Sequence, residues 1–145
     1  MSTKIPASIR RIVAARARGY CEYCRCSDQF ATEGFTIEHI KPRQMGGETI
    51  LENLAWSCFG CNGHKHTKIQ AIDPETGEQI ELYHPRQQVW SDHFSWNDDF
   101  TAVIGKTSCG RATVAALRLN RTGVTNLRRL LRSVNLHPPE NFESA

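Results

Sequence analysis

Between Phe35 and Lys65 the chain reads FTIEHIKPRQMGGETILENLAWSCFGCNGHK. Apolar and polar residues alternate at its start, which predicts a strand over 35–40 with Phe35 and Ile37 on one face. Pro42 stops that strand, and Met45-Gly46-Gly47-Glu48 is a turn by composition. A second short apolar run over 51–56 leads into Cys58-x-x-Cys61, and a helix is expected from Cys61 through CNGHKHTKIQA. Strand, loop, strand and helix thus follow one another around a cysteine knuckle.

Upstream lies a second Cys-x-x-Cys, Cys21 and Cys24. The turn between paired cysteines lets both sulfurs reach one ion, and two such turns complete a tetrahedron with Zn–S bonds of ~2.3 Å. With all four positions filled by sulfur, such a zinc is structural, and it contributes on the order of 10 kcal/mol to folding. A redox dithiol would need a βαβ context that the sequence lacks. Cys26 and Cys109 have no partner at ligand spacing and read as ordinary thiols, with Cys26 the one residue placed to usurp a ligand position. The stretch between the knuckles is longer than in a compact zinc ribbon, which makes sense if it carries a second site.

That second site is built from harder donors. Hydrolysis of a phosphodiester needs a base for water and a cation for the developing charge. His39 suits the first task at neutral pH, while Glu38 and Asn62 offer the oxygens that a hard divalent ion such as Mg²⁺ prefers. Glu38 and His39 are adjacent, so a regular strand puts them on opposite faces unless a bulge bends it. His66 lies four residues after Asn62, on the same helical face, and could add a ligand.

Taken together, Cys-x-x-Cys, Glu-His-Ile-x-Pro, Gly-Gly, Asn-Leu and Cys-x-x-Cys-Asn-x-x-Lys resemble the HNH endonucleases that carry a four-cysteine zinc site. The resemblance implies a ββα-metal core, and with the N-terminal helix and C-terminal helical extension read from the residues below, the expected fold class is α+β. It implies that His39 is the general base, that Asn53 holds the catalytic loop, and that Asn62 and Glu38 bind a catalytic Mg²⁺ or Mn²⁺ beside the structural Zn²⁺. It further implies DNA as substrate. Two positions depart from the commonest pattern: Asn62 stands where the family name says His, and Glu38 where Asp is common, so its carboxylate reaches further. Later segments, His84-Pro85-Arg86, Trp90 and His93-Phe94, are similar to one bacterial and phage-type HNH subfamily.

The remainder reads as scaffold and DNA-facing surface. The 145 residues suit one domain, with a core over 19–70 and an extension over 71–137. The first five residues are expected to be unanchored, as is a frayed tail over 138–145. PASIRRIVAARA, residues 6–17, reads as a helix with Ile9, Ile12 and Val13 as its apolar stripe, leaving Arg10, Arg11 and Arg18 on other faces. IQAIDPETGEQIELY, residues 69–83, reads as a hairpin, and Trp90, Phe94 and Trp96 as core aromatics. Helices are expected over 110–119 and 122–134. In the second, Val124, Leu127, Leu130, Leu131 and Val134 form the stripe, with Arg128, Arg129 and Arg132 outside it.

Lys65, Arg43, Arg86, Arg128, Arg129 and Arg132 are therefore the candidates for phosphate contact. The net charge of +3, from 18 Lys plus Arg against 15 Asp plus Glu, is too small to identify a nucleic-acid binder unaided. No apolar run spans a membrane and no signal-peptide core is present, so a cytoplasmic protein with reduced thiols is expected, as monomer or homodimer. The competing reading is a zinc-stabilised DNA-binding module that does not cut. A zinc-scaffolded protein-interaction domain has no feature in its favour.

Overall fold

A computed structural model describes residues 5–140, so most of the expected unanchored start and the last five residues of the tail lie outside the described residues. At its centre is the strand–strand–helix unit. β1 (Thr36–His39) pairs antiparallel with β2 (Leu54–Ser57), with Glu38 opposite Ala55 and His39 opposite Leu54. The pairing extends one step further, where the Ile40 amide donates to the Asn53 carbonyl at 2.9 Å. α2 (Phe59–Lys65) follows directly, starting two residues before the expected Cys61 because the Cys58 sulfur caps it, accepting the Cys61 amide at 3.4 Å. It also ends well before the expected 71. His66 leaves the helix at φ +52°, and the chain reaches its next strand at Gln70.

Between β1 and β2 the chain must reverse tightly, and the Gly-Gly pair permits it. Gly46 sits at φ +90°, where L side chains are strained. A Cβ on Gly47 would lie 1.8 Å from the Lys41 carbonyl oxygen, so the two ends of the loop can meet only around glycine.

α1 (Ala7–Arg16) packs on β2. Val13 is buried and Ile9 half-buried, but Ile12 is 46% exposed, so the expected stripe is narrower by one residue. Two of its arginines act as docking groups. Arg10 donates to the Phe35 carbonyl at 2.7 Å and lies over the Trp56 ring, and Arg16 donates to the Leu54 carbonyl.

The C-terminal half adds a hairpin, β3 (Gln70–Ile72) with β4 (Gln79–Glu81), then α3 (Trp90–His93), β5 (Phe94–Trp96) paired with β6 (Val103–Gly105), α4 (Ser108–Leu117) and α5 (Thr122–Ser133). Buried Asp73 organises the first hairpin turn and accepts two hydrogen bonds from Arg111 of α4, at 3.0 and 2.8 Å. Thr107 caps α4, accepting the Gly110 amide at 3.0 Å. Trp90 and Phe94 stack in the core, and Trp90 donates through its indole nitrogen to the Tyr23 carbonyl at 3.0 Å, which joins the extension to the first knuckle.

α5 corrects the expected stripe. Leu130 and Val134 are 63% and 56% exposed, whereas Arg128 is buried with Val124 and Leu131. The reason is chemical. The Arg128 guanidinium donates to the carbonyls of Thr101 (2.9 Å), Cys24 (3.1 Å) and Leu119 (2.8 Å) and to Asn120 Oδ1 (3.0 Å), and it lies over the Trp96 ring. A buried cation with that many acceptors costs far less than an unpaired one.

Candidate active site and metal centre

The two knuckles converge. Cys21 and Cys24 leave the turn after α1, while Cys58 and Cys61 flank the first turn of α2. Their four sulfurs lie within 4.8 Å of one another and all four residues are buried. A tetrahedral zinc with Zn–S bonds of ~2.3 Å separates its sulfurs by about 3.8 Å; Cys24 and Cys58 stand 3.7 Å apart. The donor set fits zinc. Cys26 is outside this mutual group although its sulfur is 3.4 Å from that of Cys24, and Cys109 sits elsewhere, near Gln88.

On the other side of α2, an open depression of about 250 Å³ is lined by His39, Arg43, Gln44, Asn62, His66 and Thr67, with Ile37, Glu38 and Pro42 in its wall. β1 runs through the Glu-His pair without a bulge, so the two side chains take opposite faces, as a regular ladder requires. His39 faces outward. Its Nε2 lies 2.8 Å from Thr49 Oγ1 and accepts the Arg43 Nε–H at 3.3 Å, and its Nδ1 has no partner among the described residues. Partial burial, and then the neighbouring Arg43, lower the His39 pKa below its ordinary value. Both effects favour the neutral ring.

Asn53 sits at the base of the loop that His39 opens. Its Oδ1 accepts the Lys41 amide at 2.8 Å, and its Nδ2 donates to the carbonyls of Lys41 (3.0 Å) and Glu48 (2.9 Å). One buried side chain thus ties both ends of the 41–48 loop. The Asn62 carboxamide and the His66 Nε2 carry no hydrogen bond among the described residues. Both are open donors on one rim of the depression.

Glu38 is placed differently. It is 3% exposed; Lys65 Nζ donates to its Oε2 at 2.8 Å, and the Tyr23 hydroxyl donates to its Oε1. Burial and the Glu38 carboxylate together push the Tyr23 hydroxyl well above its usual pKa, which keeps it a donor. Both carboxylate oxygens are thus engaged inside the protein. Lys65 is itself 1% exposed and donates also to the Ile40 carbonyl at 2.9 Å, so it is no phosphate contact here.

Two other basic candidates turn inward with it. Arg128 is buried as described above, and Arg86 forms an ion pair with buried Glu22. Arg43, Arg129 and Arg132 are exposed. Arg43 borders the depression, while Arg132 reaches the Asp99 carbonyl on a separate face. Thr49 and Tyr23 were not legible as site residues. Thr49 had no motif to mark it, and Tyr23 hid as a spacer within the first knuckle.

Fold and site together define a ββα-metal protein whose short helix carries two cysteines of a tetrathiolate knuckle and, through Asn62, part of the lining of an open histidine–amide depression. Residues 21–68, the span from the first cysteine to the end of that unit, match the family described as HNH endonuclease. No curated protein and no solved structure matches the chain. The match of this segment points to nuclease or DNA-binding chemistry.

Proposed function

We propose that this chain is a single-domain, metal-dependent HNH endonuclease that hydrolyses DNA phosphodiester bonds. The observation that carries the reading is the unpartnered Nδ1 of His39, a ring whose neutral form is favoured, in the same depression as the unpartnered donors of Asn62 and His66.

Nδ1 keeps its lone pair in the tautomer whose Nε2–H donates to Thr49 Oγ1, which requires Arg43 to give up its Nε–H bond to Nε2 and keep only the one from Nη2 to Thr49 at 3.2 Å. Nδ1 then takes a proton from the attacking water. Asn53 holds the loop so that the ring keeps this orientation. Asn62 and His66 are the groups that would hold a divalent ion, which would supply charge stabilisation at the phosphate and the leaving oxygen. Glu38 could help to hold it only if its contact with Lys65 or Tyr23 were given up. Without it the donors are one amide oxygen and one imidazole, a set better suited to Mn²⁺ than to Mg²⁺. Arg43, in the lining of the depression, is the exposed cation placed for a phosphate. Breaking both strands at once would require a second copy.

The engaged carboxylate is what speaks for the second reading, a zinc-stabilised DNA-binding module that does not cut. Cleavage of supercoiled plasmid in Mg²⁺, in Mn²⁺ and in EDTA, beside His39→Ala, separates the two. Product that needs both the ion and His39 is expected, with loss of the base costing ~10²–10⁴ in rate. DNA binding without cleavage under any of these ions would favour the module.

A further inference from the structure

The tetrathiolate has an unassigned neighbour. Arg121, the residue before α5, crosses to the second knuckle, where Nη2 stands 3.2 Å from Cys58 Sγ and Nη1 3.6 Å from Cys61 Sγ. The same Nη1 is held from behind by the carbonyls of Arg118 at 3.0 Å and Leu117 at 3.4 Å, so the guanidinium is aimed by the end of α4. Between the two cysteines lies Gly60. A Cβ there would meet Arg121 Nη2 at 2.5 Å and Cζ at 2.8 Å. The knuckle is thus cut away to admit this cation.

We infer that Arg121 is an outer-sphere residue of the zinc site, a cation that neutralises the thiolates of Cys58 and Cys61 through paired N–H···S hydrogen bonds. Four thiolates around Zn²⁺ leave a net dianion, here buried from water, and a buried charge without a partner is costly. A planar fork presents separate N–H groups to the two sulfurs in a fixed geometry, which the single nitrogen of a lysine does not. Donation to sulfur lowers the energy of its lone pair, so the metal is held with less basic thiolates that are slower to be captured by protons or chelators. The inference rests on the cluster holding zinc.

The test uses the full zinc-loaded chain with Arg121→Met, Arg121→Lys and Gly60→Ala. Gly60→Ala leaves the arginine in place and displaces only the far end of a flexible side chain, so the fold survives and the contact does not. Transfer of zinc to a chromophoric chelator should quicken by about tenfold or more in Arg121→Met, the scale on which outer-shell partners act. Gly60→Ala should move the same way, and Arg121→Lys should lie between. After Co²⁺ replaces zinc, the sulfur-to-cobalt charge-transfer band should shift to lower energy in Arg121→Met and Gly60→Ala, a change that mere loosening of α5 would not produce. Wild-type release with an unshifted band in Gly60→Ala overturns the inference, and that variant decides if Arg121→Met fails to fold. A wild-type chain without zinc overturns the inference and the zinc reading together, whereas zinc held equally well by all variants overturns the inference alone.

Discussion

Replacing Lys65 with methionine is the sharpest way to separate the inward reading of this residue from a DNA-facing one. Methionine keeps most of the volume and removes the charge, leaving Glu38 with Tyr23 alone in a site 3% exposed. Removing one partner of a buried ion pair typically costs ~3–5 kcal/mol, and the Ile40 carbonyl, which also loses its donor, adds about 1 kcal/mol. For a chain of this size each kcal/mol moves Tm by roughly 2–4 °C, so the loss should be on the order of 10 °C in zinc-containing buffer. Glu38→Gln combined with Lys65→Met should recover much of the loss, because neither partner is then left charged. The assay is thermal unfolding, beside DNA binding at several salt concentrations. Wild-type stability, with weaker binding and a salt slope reduced by about one, would refute this reasoning and place Lys65 against phosphate.

Other outcomes follow from the same geometry. Because burial and Arg43 both lower the His39 pKa, the base stays neutral as pH falls through the ordinary histidine value of ~6.5, and the acid limb of cleavage should lie below that value; a limb at or above it would contradict the assignment. Asn53→Ala removes three hydrogen bonds to the 41–48 loop at ~1 kcal/mol each, and should cut cleavage while sparing zinc content, with faster amide exchange in the loop as the check. Cys58→Ala opens the tetrathiolate and uncaps α2, so the variant should lose its zinc and its cooperative unfolding transition; a zinc-free, cooperatively folded variant would remove the structural role.

The ββα core was legible because its signals are local and redundant. Alternation at Phe35–Thr36–Ile37, Pro42, the glycine pair and two cysteine pairs each specify one feature, and all agree. The start of α2 was misplaced because a cysteine sulfur is an uncommon cap, and its end because nothing before His66 predicts a residue at φ +52°. The arginines and Lys65 went astray for a different reason. A helical stripe is read by assuming that charge lies outside, yet Arg128 has carbonyls from three separate segments waiting for it, more than 100 residues away in the case of Cys24. Acceptors assembled by tertiary structure leave no periodicity to find. Arg121 is the same case, since its sulfur partners lie 60 residues or more upstream.

These hidden contacts bear on how so short a helix can present a site. α2 has seven residues, too few to be stable by itself in water. Its first turn is fixed by Cys58 and Cys61 on the metal cluster, and its last residue, Lys65, is fixed to Glu38 and Ile40 of the strand. Asn62 lies between these anchors, one residue after a thiolate and three before the ion pair. Its carboxamide makes no hydrogen bond among the described residues, so the position of its open oxygen is set entirely by the helix that carries it. Glu38 therefore shapes the depression by holding α2 against β1, whichever ion enters. On that logic the tetrathiolate and the buried pair are two clamps on one element, and loosening either should move Asn62 relative to His39 without touching a residue of the depression itself.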